Sequence, residues 1–168
     1  MKNKEKVQKF NRSLTVILFL IYLVMLTWLI LLKMSVSIKD LGGFRSVNLI
    51  PFAGSMVING RISVREIVYN ILVFVPFGVY LSMLMPKMQV WKRIAVMAGV
   101  SLLFETLQFV LAIGASDITD FIGNSLGGAI GILVFGLFGK MGRERACRVL
   151  NVIACIGTIA VLGFVGIL

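Results

Sequence analysis

The sequence contains no histidine, and its 168 residues include only two cysteines, three prolines and seven acidic residues. The absence of histidine excludes Ser-His-Asp and Cys-His catalysis, haem ligation by histidine and histidine-based metal sites. Cys147 and Cys155 lie near or within the last predicted helix, about 12 Å apart along its axis, so they cannot form a disulfide within it. Any catalytic or metal-binding role must rest on other side chains.

Apolar residues are abundant instead: 59% of the chain is hydrophobic and the mean hydropathy is +1.01, which indicates a membrane protein. A helix needs about 20 predominantly apolar residues to cross a bilayer. We predict a single all-α membrane domain over residues 1–168, a polytopic bundle of about five transmembrane helices. The predicted helices are 14–32, 66–85, 94–112, 121–139 and 149–168.

The basic residues predict the orientation of this bundle, because cytoplasmic loops carry an excess of Lys and Arg. Twelve of the 17 basic residues lie at the N-terminus, at 86–93 and at 140–148, segments that share one side of the membrane. The other five are spread over the long first loop, about 33–65, and none lies in 113–120. We therefore expect a multi-pass protein of the cell membrane with its N-terminus inside and its C-terminus outside. The first apolar run is too long for a signal peptide and is expected to remain as an anchor.

The net charge of +10 raises the alternative of a nucleic-acid partner. The basic residues are divided among segments that flank helices, and no soluble scaffold presents them together. Anionic lipid headgroups are the expected partner, at about 1 kcal/mol per basic residue near the surface. We expect no nucleic acid and no cofactor.

Glu105 lies in the middle of the apolar run AVMAGVSLLFETLQFVLAI. A carboxylate costs several kcal/mol there, so an intramembrane acid is by default a candidate functional residue. Helical spacing places Gln108 on the same stripe of the third helix. Polar residues of helices two and four are expected at a similar depth, so together with Glu105 and Gln108 they predict an outward-facing polar pocket. The segment NLIPF of the first loop is a candidate lid. The expected residues of the pocket are Asn48, Pro51, Asn70, Glu105, Gln108, Asp117, Asp120 and Asn124.

Each of these features also has a purely structural interpretation. Asp117 and Asp120 can cap a helix N-terminus, and Asn70, Gln108 and Asn124 can hold helices together through hydrogen bonds. The small residues of helix four predict close packing, at a depth in the membrane similar to that of Glu105, and Pro76 predicts a kink in helix two. The expected packing positions are Gly123, Gly127, Gly128, Gly131 and Pro76.

Four segments in order resemble the VanZ-like family of small membrane proteins: VNLIPF at 47–52, YNILVFVPFG at 69–78, FETLQ at 104–108 and SDITDFIGNSLGGAIG at 116–131. The resemblance implies a VanZ-like core at about 40–140 and an additional transmembrane helix at 149–168. It also implies a cell-envelope protein of the Gram-positive type, since the namesake of the family is linked to resistance against the glycopeptide teicoplanin. The resemblance implies no enzymatic mechanism.

Three functional hypotheses follow. The first is a non-enzymatic envelope protein that binds a lipid-linked, amphiphilic or glycopeptide-type molecule in the polar pocket and contributes to resistance. The second is an intramembrane enzyme that uses Glu105 with Asp117 or Asp120 as an acid/base or cation-binding pair. The third is a small transporter, although the polar residues stop short of the cytoplasmic half.

Overall fold

The computed structural model describes residues 2–31, 44–51, 57–58, 61–62 and 64–165. Five helices make up most of this part: α1 (Lys2–Leu31), α2 (Val64–Leu84), α3 (Val90–Leu111), α4 (Ile118–Gly139) and α5 (Arg143–Val165). Each is long and apolar enough to cross a membrane. The chain is therefore an all-α polytopic bundle, as predicted.

All five helices begin earlier than the apolar runs suggest, and three of them begin at least four residues earlier. α1 includes the basic segment from Lys2, α3 begins at Val90 and α5 begins at Arg143. Lys, Arg and Glu are good helix formers, so a helix can continue through polar residues beyond its apolar part. The last three residues of the predicted final helix, 166–168, lie outside the described residues.

Four short strands lie between the helices. β1 (Phe44–Asn48) and β4 (Ile113–Asp117) form a parallel pair, while β2 (Val57–Ile58) and β3 (Arg61–Ile62) form an antiparallel pair. The sequence predicts loops at both places, because strands of two to five residues leave little local signal. Most of the first loop, including Phe52 of the NLIPF segment, lies outside the described residues.

The closest helix packing joins α2 to α4 and depends on glycine. A Cβ atom on Gly127 would lie 2.1 Å from the carbonyl oxygen of Ile71, and one on Gly131 would lie 2.1 Å from that of Val75. Both contacts are with backbone atoms that cannot move aside. The row of small residues therefore brings α4 against α2. This is the most extensive contact that α4 makes with another helix.

α1 packs across the middle of α2 through aromatic side chains. Phe19 and Tyr22 contact Phe77 and Tyr80 with ring centroids 5.3–6.3 Å apart. The Tyr22 hydroxyl also donates a hydrogen bond to the carbonyl oxygen of Val73, at 2.8 Å. Pro76 lies in the same part of α2 and lacks a backbone N–H, so it leaves the carbonyl of Leu72 without its helical donor.

Candidate functional site

The connection between α3 and α4 folds back along α3. Ala112 adopts a left-handed conformation at the end of α3, and the chain then runs through β4. The Ser116 hydroxyl donates to the backbone carbonyl of Glu105 at 2.6 Å, and the Asp117 N–H donates to Oε2 of Glu105 at 2.9 Å. Because Glu105 precedes the end of α3 by six residues, β4 descends about 9 Å beside that helix.

This descent places the start of α4 next to the Glu105 carboxylate. Asp117 is the N-cap residue of α4, and its side chain accepts a hydrogen bond from the N–H of Thr119 at 2.7 Å. The positive end of a helix dipole favours a nearby carboxylate. The side chain of Glu105 is 7% exposed and is therefore stabilised within an apolar segment by a backbone amide and a helix N-terminus.

Strand β1, within the first loop, completes this arrangement from the other side. In the parallel pair, Asn48 of β1 is in register with Asp117 of β4. The Asn48 side-chain amide donates to Oδ2 of Asp117 at 3.1 Å, and its oxygen accepts from the N–H of Ile50 at 3.2 Å. The strand that carries Asn48 is thus attached to the start of α4.

A groove of about 350 Å³ lies between this strand pair and the faces of α3 and α4. Asn48, Glu105, Ser116 and Asp117 provide its polar groups, and the remaining lining is mainly apolar. Leu102 is 58% exposed, so the groove opens on the exposed face of α3, the face directed away from the rest of the bundle. The full lining is Val47, Asn48, Leu49, Leu102, Glu105, Thr106, Phe109, Ser116, Asp117, Ile118 and Phe121.

The structure brings three of the predicted pocket residues, Asn48, Glu105 and Asp117, to this groove. Pro51 is exposed and lies outside the lining, while Leu49, two residues earlier, belongs to it. The other predicted residues occupy separate positions.

Two of these residues, Asn70 and Asp120, connect α2 to α4. The Asn70 side chain donates a short hydrogen bond to Oδ1 of Asp120, and both residues are partly exposed. A Cβ atom on Gly123 would lie 3.4 Å from that of Asn70, one turn along the same face of α4. This pair holds the N-terminal turn of α4 against α2.

Gln108 and Asn124 are buried in the bundle. Gln108 is 4% exposed and donates to the backbone carbonyl of Ile30 at 3.0 Å, near the end of α1. Asn124 is 2% exposed and donates to the Ser101 hydroxyl at 2.9 Å. Both contacts join helices, as the structural interpretation of these residues expects.

The depth predicted for the glycines needs correction. A Cβ atom on Gly128 would lie 2.3 Å from Sδ of Met97, so Gly128 is level with Met97, about two turns below Glu105 along α3. The prediction placed Gly127 and Gly128 beside Glu105 by assuming that α3 ends level with the start of α4. The descent of β4 shifts α4 along α3 and makes that assumption wrong.

Several lining residues were not predicted. Leu102 and Phe109 are three residues before and four residues after Glu105, the spacing that places side chains on one face of a helix. That spacing is a usable signal in the sequence, although neither side chain is polar. Ser116 and Phe121 reach the groove through the descent of β4, which the sequence does not reveal.

The carboxylates of the groove do not form a larger acidic cluster. Within the described ranges, no group of three or more His, Cys, Asp or Glu residues is placed to hold a metal ion. Glu105 and Asp117 both accept hydrogen bonds from backbone amides. The two carboxylates therefore provide hydrogen-bond acceptors in the groove, to which a polar group of a ligand could donate.

The family model described as VanZ/LLP1 matches residues 19–139 of this chain, from within α1 to the end of α4. The chain belongs to the VanZ/LLP1 family. Protein VanZ of Enterococcus faecium is 37% identical over 136 residues, which cover 79% of this chain and 81% of that protein. No solved structure matches the chain. The groove lies entirely within the part that matches the VanZ/LLP1 model, while α5 follows it.

Proposed function

We propose that this VanZ/LLP1 protein is a multi-pass protein of the cell membrane that binds an amphiphilic molecule in the groove between α3, α4 and the β1–β4 pair. The observation that carries the proposal is the composition of the groove. Acceptor and donor groups of Asn48, Glu105 and Asp117 lie beside an apolar wall of α3. A ligand with a polar head and a hydrocarbon chain matches both parts.

The exposed face of α3 supports entry of the ligand's hydrocarbon chain from the bilayer. Leu102 and Phe109 line the groove and are 58% and 40% exposed, and Leu103 and Val110 beside them are also exposed. An acyl or polyprenyl chain can follow this face without leaving the hydrocarbon region. The polar head then reaches Glu105 and Asp117, on the side that the basic residues predict to be external.

The packing below the groove supports binding over passage across the membrane. Asn124 bonds to Ser101 one turn below Glu105, and Gly128 contacts Met97 one turn further. These contacts close the space between α3 and α4. They favour a binding protein over the alternative of a transporter.

Family membership supports a specific role for such binding. We infer that the protein contributes to resistance against glycopeptides that carry an acyl chain, of which teicoplanin is an example. Capture of the antibiotic, or of a lipid-linked molecule that it recognises, would lower its access to its target. The ligand-binding step is common to both routes.

The test is antibiotic susceptibility in a Gram-positive host that lacks a related protein. Expression of the wild type should raise the inhibitory concentration of teicoplanin more than that of a glycopeptide without an acyl chain. Leu102→Trp, which fills the groove, should abolish this increase. Leu103→Trp is the matched control, since Leu103 is similarly exposed but does not line the groove.

Comparable membrane levels of the variants must be verified by immunoblotting. An unchanged inhibitory concentration on expression of the wild type would refute the resistance role. Equal resistance from the Leu102→Trp and Leu103→Trp proteins would instead show that the groove has no part in it.

A further inference from the structure

A second polar cluster lies at the opposite end of the bundle, where α2 ends. Arg93 of α3 is 9% exposed, and its guanidinium donates to the backbone carbonyls of Met85 and Pro86, both at 3.0 Å. A longer contact of 3.4 Å joins it to the Ser82 hydroxyl. Nε of Arg93 is buried and has no hydrogen-bond partner among the described residues.

A second guanidinium lies beside the first. Arg143, at the start of α5, donates to the backbone carbonyl of Met83 at 2.7 Å, and its guanidinium lies 5.9 Å from the centre of the Phe135 ring. Its charge repels that of Arg93. Unlike Arg93, Arg143 is exposed and can contact a ligand directly.

Across the residues described, neither Arg93 nor Arg143 forms a salt bridge or a side-chain contact with a carboxylate. The negative end of the α2 dipole, equivalent to about half a charge, offsets only part of two full positive charges. A buried guanidinium normally requires an anionic partner.

The surroundings indicate that the anion belongs to a lipid. Met85, whose carbonyl accepts from Arg93, is 44% exposed, so apolar surface adjoins that arginine. Trp91, in the same turn of α3, is 64% exposed. Nζ of Lys92 lies 5.4 Å from the centre of the Trp91 ring. Exposed tryptophan next to lysine is typical of the boundary between hydrocarbon and headgroups.

We propose that Arg143, with Arg93 behind it, forms a binding site for the phosphate group of an anionic phospholipid. Guanidinium groups present several N–H donors in a plane and bind phosphate oxygens through paired hydrogen bonds. Three bonds already fix Arg93, so it contributes charge, and the exposed Arg143 provides the free donors. The site differs in position and in charge from the groove at Glu105, and it is independent of the proposed function.

Native mass spectrometry of the full-length protein tests this site. The protein is released from micelles with phosphatidylglycerol or phosphatidylcholine of identical acyl chains. Wild-type protein should retain phosphatidylglycerol preferentially, and Arg143→Gln should lower that preference about tenfold, as expected for loss of a charge-assisted contact. Arg145→Gln removes the same charge from an exposed position of α5 and should change it by about twofold or less.

Equal losses in the Arg143→Gln and Arg145→Gln proteins would overturn the proposal, because they would indicate diffuse attraction to the basic surface. Displacement of the lipid by millimolar inorganic phosphate would show a free-phosphate site and would also overturn the lipid assignment. Arg143→Lys provides a second test if Arg143→Gln does not fold. It keeps the charge but not the planar donors, so a preference equal to that of the wild type would contradict paired guanidinium binding.

Discussion

The Glu105 carboxylate accepts a hydrogen bond from the backbone N–H of Asp117, with 2.9 Å between Oε2 and the nitrogen. This contact connects the middle of α3 to Asp117, the N-cap residue of α4. It explains how an acidic side chain is tolerated in an apolar helix, since the amide and the helix dipole both stabilise it. It also sets the depth at which α4 begins, and therefore the position of the groove.

Removal of the Glu105 acceptor should destabilise the protein. Glu105→Ala leaves a buried N–H of Asp117 without its partner, at an expected cost of about 1–3 kcal/mol in the free energy of unfolding. Glu105→Gln keeps an acceptor oxygen and should cost less. Unfolding with SDS in mixed micelles measures both values. Thr106→Ala is the control, because among the described residues the Thr106 hydroxyl bonds within its own helix, to the carbonyl of Leu102.

The pair formed by Asn70 and Asp120 should be energetically coupled. A double-mutant cycle with Asn70→Ala and Asp120→Ala should give a coupling of about 0.6 kcal/mol, the average for such contacts between membrane helices. The same unfolding assay supplies the four free energies. Additive effects of the two substitutions would mean that the hydrogen bond does not help to hold α4 against α2.

The α2–α4 contact should not tolerate a methyl group. Gly127→Ala places a Cβ atom 2.1 Å from the carbonyl oxygen of Ile71, so the helices must separate, and we expect a loss of about 1–3 kcal/mol in unfolding free energy. Gly136→Ala is the matched control on α4, because no atom of the described residues, apart from the adjoining backbone of α4 itself, lies within 4 Å of the position of its Cβ. That variant should be neutral or slightly stabilised, since alanine favours helix. Similar values for the two variants would contradict the packing.

The membrane helices were predictable from the sequence because their signal is local. Runs of about 20 apolar residues require a helix in a bilayer, where every backbone amide needs a partner. The ends of α1, α3 and α5 were less accurate, because basic residues end a hydrophobic run without ending a helix. The predicted orientation remains a prediction based on the distribution of basic residues.

The site was only partly predictable, and the reason lies in β4. The sequence shows Glu105 as an isolated acid in an apolar run and Asp117 as a residue before a helix. Their contact depends on the descent of residues 113–117 along α3 and on pairing with β1, more than 60 residues earlier in the chain. Long-range pairing of this kind decides which polar residues share a groove. Gln108 and Asn124 are also polar residues within apolar helices, but each bonds to a neighbouring helix away from the groove.

The central claim is that the groove beside Glu105 holds an amphiphile, and site-specific photocrosslinking tests it most directly. A photoreactive amino acid replaces Leu102 in one protein and Leu103 in another, and membranes containing each are irradiated with and without teicoplanin. Mass spectrometry then identifies the adducts. We predict a defined adduct with teicoplanin or with a lipid-linked molecule at position 102 and only bulk phospholipid at position 103. The same bulk phospholipids at both positions, in a protein that confers resistance, would contradict the account.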